Sequence, residues 1–153
     1  MANTETETTP TPPYLPYKTL ANTLAGWGSV GVPGRIDRTL FRSFSGAIQS
    51  WLISTLRYLD LIDEAGTPTQ RLRVLVAAQG TEREKVVREM LHASYAFVFD
   101  DSFDLATATA GQVADKFKSA GLQGDTVRKA SALFLALAKD AGMTISPHMK
   151  VPR

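Results

Sequence analysis

Residues Ser43 to Thr69 read S-F-S-G-A-I-Q-S-W-L-I-S-T-L-R-Y-L-D-L-I-D-E-A-G-T-P-T. Ile48, Leu52, Leu56 and Leu59 recur at helical spacing, which predicts a helix from about Gly46 to Leu59 with one apolar stripe. The stretch L-I-D-E-A-G-T-P-T that follows has apolar and turn residues in the order of a β-hairpin, with Glu64, Ala65 and Gly66 at the bend. A helix running into a hairpin is the combination that winged helix-turn-helix proteins press into a DNA groove. The question is whether this helix reads nucleic acid or serves as the spine of a small helical domain.

The flanking segments extend the pattern. Leu20 and Leu24 suggest a first helix over about Lys18 to Trp27, followed by a loop, G-W-G-S-V-G-V-P. Pro33 then sets up a second helix from about Arg35 to Arg42, with Ile36 and Leu40 facing inward. Thr69 suits the cap of a helix ending near Gly80. Thr81 opens T-E-R-E and Thr109 opens T-A-G-Q, both with capping-box spacing, the first helix running to about Tyr95 and the second to Gly121. Asp125 caps a long last helix, with Val127, Ala130, Phe134, Leu137 and Ala141 on one stripe and Gly142 closing it. M-T-I-S beyond it is a candidate strand.

These elements make a mostly α protein. Residues 1–12 are expected to form a disordered tail, being rich in Thr, Pro and Glu, which lack the apolar surface to offset ordering entropy. Residues 13–80 form a winged-helix-like unit with a short β-hairpin, and residues 81–148 a C-terminal helical unit packed on it. Residues 149–153 form a loose C-terminus. The C-terminal unit repeats the order short helix, turn, long helix, so a second degenerate helix-turn-helix stands beside the plain alternative of paired helices.

Four motifs in order resemble the bacterial and archaeal family called domain of unknown function 5343. They are P-P-Y-L-P-Y-K-T-L, V-P-G-R-I-D-R-T-L, S-G-A-I-Q-S-W-L-I-S-T-L-R-Y-L-D-L-I-D and G-D-T-V-R-K-A-S-A-L-F-L-A-L-A-K-D-A-G-M-T-I-S. The resemblance covers Pro12 to about His148. It implies no activity and supplies no catalytic residue. The Gly-rich A-G-W-G-S-V-G departs from the charged stretch expected between the first two motifs.

The 153 residues carry a formal charge of +2, too little to announce a nucleic-acid binder by itself. Local distribution says more. Between Tyr14 and Arg57 there are five basic residues against one acid, a net of +4. On the second helix Arg35, Arg38 and Arg42 would share a face at i, i+3 and i+7. With Lys18 they form a stripe suited to phosphates, while Gln49, Ser50 and Arg57 would approach the groove of double-stranded DNA. The competing reading is a solvated helix face, or a protein-interaction or homodimer surface made by Trp51, Ile53 and Tyr58.

Other chemistry finds little purchase. There is no Cys, and the two His, His92 and His148, do not make a metal site of familiar spacing. Gly26 to Gly31 match G-x-G-x-x-G by letter but follow a helix rather than a strand, so they read as a connector. Asp100, Asp101 and Asp104 match D-D-x-x-D without a second acidic cluster, which suggests a solvated loop. No cofactor, metal or enzymatic activity is expected. With no secretory signal and no membrane-length apolar run, a cytoplasmic protein without membrane contact is the expectation. The functional expectation is a non-enzymatic nucleic-acid-binding or regulatory protein, with an interaction module as the alternative.

Overall fold

The computed structural model describes residues 11–100 and 103–149, and the expectations for residues 1–10 and 150–153 lie outside them. Six α-helices follow one another: α1 Tyr17–Val30, α2 Gly46–Tyr58, α3 Gln70–Ala77, α4 Gly80–Ser94, α5 Ala110–Ser119 and α6 Asp125–Asp140. A 3-10 helix, Arg38–Phe41, lies between α1 and α2. No strand occurs among the described residues.

α6 is the central element. Its alternation of small and large apolar residues buries Val127, Ala130, Leu133, Phe134, Leu135, Leu137 and Ala138. It packs on α4, α5 and α1, so both ends of the sequence meet on it. Each large side chain so buried contributes roughly 1.5–3 kcal/mol. Around Phe134 gathers a run of rings. Tyr95 lies 5.0 Å from Phe134, 5.5 Å from Tyr58 and 6.0 Å from both Phe97 and Phe117. The carboxyl end of α6 is held by cations, as the helix dipole favours. Arg83 pairs with Asp140 at 2.7 Å, and Arg88 Nη1 donates to the carbonyl of Ala141 at 3.0 Å. Tyr17 lies beside the same carboxylate; burial first, then Asp140, pushes its hydroxyl pKa up to about 12.

Several sequence expectations need correction. α1 does not stop at Trp27 but continues to Val30 through the glycines expected to form a loop. Trp27 is buried there, and Gly28 lets α3 approach so closely that a Cβ would stand 3.3 Å from the Val76 carbonyl. Tight packing offsets the poor helix propensity of glycine. The helix expected over Arg35 to Arg42 shrinks to the 3-10 segment. Ile36 is buried as expected, but Leu40 points outward at 43% exposure. The cause is distant in sequence. Ile36 N–H donates to the Gly66 carbonyl at 2.8 Å, Asp37 after it is extended, and the helical turn starts only at Arg38.

The expected hairpin reduces to a single antiparallel bridge between Ile62 and Pro68. Pro68 has no N–H to extend a ladder. The Asp63 carboxylate accepts from the N–H groups of Ala65 and Thr67, both at 2.9 Å, and rolls the segment into a turn. A winged-helix architecture is therefore not supported, and M-T-I-S is irregular rather than a strand. Thr81 does not cap α4. The helix starts at Gly80, directly after the two-residue link Ala78–Gln79. Asp125 is the first residue of α6, with Gly124 at the cap. Thr69 and Thr109 do cap their helices, and Gln112 completes the Thr109 capping box.

Candidate interaction surface

The residues expected to grip DNA divide into two groups. Arg38 is bonded to both Gln49 and Ser50. Arg38 Nε donates to Gln49 Oε1 at 3.2 Å, Nη1 to Ser50 Oγ at 3.0 Å and Nη2 to the Gly46 carbonyl at 3.2 Å. Gln49 in turn donates to the Phe44 carbonyl at 3.0 Å. The guanidinium thus serves as a clamp between the 3-10 turn and the amino end of α2. Arg57 leans on the Glu64 carbonyl at 3.5 Å.

Lys18, Arg35 and Arg42 are exposed. Arg35 lies 4.0 Å from the Asp37 carboxylate. That carboxylate caps the 3-10 helix, accepting from the hydroxyl and N–H of Thr39. Those two bonds, the hydroxyl first, hold its pKa below the ordinary value, with Arg35 and Arg42 adding to the effect. Without the Arg35–Arg42 helix, the three arginines do not form one helical face.

The alternative interface residues also separate. The Tyr58 hydroxyl donates to the Ser94 carbonyl at 2.8 Å, and burial raises its pKa to about 12. Tyr58 joins α2 to α4 and is half-buried in that role. Ile53 is partly buried against the core. Trp51 is half-buried, with Tyr14 set edge-on against it at 5.3 Å. Pro12 and Pro13 are buried, and the segment from Thr11 lines a crevice against Trp51.

Two features escape a reading by periodicity. The first is the segment after Asp37. Leu40 and Phe44 are exposed, Phe44 by 39%, on either side of Arg42. An inward helix stripe hides this arrangement, and only the Ile36–Gly66 contact reveals it. The second is a cleft of about 340 Å³ between the start of α1, Trp51 and α6. Lys129, Ala132 and Ala136 line it at i, i+3 and i+7, on the flank of the core stripe that holds Leu133. That spacing is the one signal of the cleft in the sequence.

The remaining motifs have structural settings. Gly26 and Gly28 belong to the last turns of α1. Asp100 accepts from Lys116, Asp104 Oδ1 accepts from the Ala106 N–H at 3.0 Å, and Asp101 lies outside the described residues. His92 packs on Phe99 with ring centres 4.2 Å apart. His148 donates its backbone N–H to Ser146 Oγ. Among the described residues no three His, Asp or Glu side chains gather as a metal site, and no helix is long and apolar enough to cross a membrane.

A chain of helices packed on α6 defines a small helical domain. Its sequence matches a family model over residues 13–147, and the chain belongs to that family, the family of unknown function DUF5343. No curated protein and no solved structure matches it.

Proposed function

We propose that this protein is a non-enzymatic protein-interaction module, and that the turn bearing Leu40, Arg42 and Phe44 is its contact surface. The observation that carries this reading is the pairing of exposure with rigidity. Leu40 and Phe44 are large, apolar and open to solvent, on a segment that Arg38 ties to α2 by three hydrogen bonds. A pre-ordered segment loses little conformational entropy on binding. Aromatic residues and arginine flanked by apolar contacts are the usual anchors of protein interfaces. Of the three arginines that would hold phosphates, Arg38 is taken up by the fold.

The test compares wild-type protein with a Leu40→Ser/Phe44→Ser double variant. Self-association is measured by sedimentation equilibrium, and partners by quantitative capture on the two proteins as baits. The reading expects self-association or a captured partner that the double variant loses at unchanged thermal stability. Equal behaviour of the two proteins overturns it. Salt-sensitive binding of a random DNA duplex, lost in Arg35→Glu/Arg42→Glu, would move the function to nucleic acid.

A further inference from the structure

The cleft beside Trp51 shares no residue with the Leu40–Phe44 turn, and its chemistry is different. One wall is aromatic, formed by Tyr14 and Trp51. The floor is apolar, formed by Ala132, Leu133 and Ala136 of α6. Three cations line it, Lys18 from α1 and Arg128 and Lys129 from α6, and no carboxylate does. Folding has brought these like charges together from opposite ends of the chain, which costs repulsion unless something negative answers it.

Asp125 answers part of it from outside the lining. It accepts from Arg128 Nε at 2.8 Å and Nη2 at 3.3 Å, and lies 3.6 Å from Lys129 Nζ. Three cations less one carboxylate leave a local charge of +2. The first turn of α1 bears no acid and no side-chain cap, so its dipole contributes in the same sense. The volume of about 340 Å³ falls at the small end of pockets that take organic ligands, roughly 300–1,000 Å³. It is too small for a folded partner and well sized for a bicyclic ring with one charged group.

We infer that this cleft binds a small organic anion with a flat aromatic body. The ring packs against Trp51, Tyr14, Ala132 and Ala136, and the phosphate or carboxylate faces Lys18, Lys129 and Arg128. Neither half suffices. An inorganic anion would meet exposed, hydrated cations, and a neutral ring would gain only a shallow apolar contact.

The experiment titrates the full chain with 1-naphthyl phosphate, 1-naphthoate, 1-naphthol and inorganic phosphate by calorimetry and by ¹H–¹⁵N correlation spectra. The chain has two Trp, so two indole cross-peaks report separately on the cleft and on buried Trp27. Both naphthyl anions are expected to bind at least about tenfold more tightly than naphthol or phosphate. The Trp51 indole peak moves while that of Trp27 stays. A Lys18→Met/Lys129→Met variant loses at least about tenfold in affinity for the naphthyl anions and none for naphthol. Trp51→Leu weakens every aromatic probe, and the lysine variant carries the test alone should Trp51→Leu fail to fold. Equal affinity for naphthol and naphthyl phosphate, movement centred on Trp27, indifference to the lysine substitutions, or no binding at about 1 mM would each overturn the site.

Discussion

α2 and α6 are each preceded by a short helical element and a turn, but these two lead-ins are built in opposite ways. The lead-in to α6 is local. Thr109 and Gln112 cap α5 reciprocally, and Val113 and Phe117 face the core. Gly121, at φ 104°, turns the chain while the Leu122 N–H returns to the Phe117 carbonyl at 3.3 Å. The cap and the turn are each closed by partners within a few residues. The lead-in to α2 is assembled from a distance. Gly66 holds Ile36, and Arg38 reaches forward to Gly46, Gln49 and Ser50. The first kind of turn follows from its own sequence, whereas the second exists only once the rest of the fold does.

A pair of glycine substitutions separates the two lead-ins by the largest margin. At Gly66, with φ 88°, a Cβ would stand 2.5 Å from the Ile36 carbonyl oxygen, and backbone cannot swing aside. Gly66→Ala is expected to cost about 3 kcal/mol or more, as left-handed strain and a backbone clash add. Gly121 has positive φ but open space around it. Gly121→Ala should cost only about 1 kcal/mol. Urea denaturation of both variants measures the gap, and equal losses would deny the long-range anchoring of the segment before α2.

Removing the polar anchor of each lead-in gives a smaller effect. Arg38→Ala and Thr109→Ala should each cost about 1 kcal/mol, the Arg38 value being limited by its exposure. What separates them is reach. Hydrogen exchange should rise on both sides of the Arg38 clamp, over residues 38–41 and 46–50, but only in the first turn of α5 for Thr109→Ala. Exchange changes confined to residues 38–41 would contradict the clamp.

The smallest effect concerns how the helices end. α5, α6 and α2 all close with the same kind of returning bond. Leu122, Met143 and Leu61 donate back to the Phe117, Ala138 and Leu56 carbonyls. α5 and α6 place glycine at the positive-φ position, whereas α2 uses Asp60, at φ 60°. Asp60→Gly relieves that conformation and gives up an ion pair between the exposed Asp60 carboxylate and partly buried Arg71 at 3.6 Å. A net gain of about 0.5 kcal/mol is expected by urea denaturation, and a loss would mean the ion pair outweighs the backbone.

The same contrast explains what the sequence makes legible. The positions of α2, α5 and α6 and their buried stripes can be read, because spacing and caps are local. Leu52, Leu56, Phe134 and Leu137 are buried as their periodicity requires. The turn at residues 35–44 cannot, because its shape depends on Gly66, far along the chain. L-I-D-E-A-G-T-P-T has hairpin composition but forms the single Ile62–Pro68 bridge, because Pro68 cannot extend a ladder and the Asp63 side-chain bonds favour a turn. Of the candidate site residues, Lys18 and Trp51 meet in one cleft. Arg128 and Lys129, which complete it, come from the opposite end of the chain, where no local pattern ties them to Trp51.

The rings around Phe134 give the molecule an optical signature. Tyr58, Tyr95, Phe97, Phe117 and Phe134 form an unbroken series with neighbouring centres 5.0–6.0 Å apart. Chromophores fixed this closely in a chiral interior produce near-ultraviolet circular dichroism that vanishes when packing loosens, even while helices persist. Tyr58 belongs to α2, Phe117 to α5 and Phe134 to α6, so one spectral band reports whether the two halves are docked.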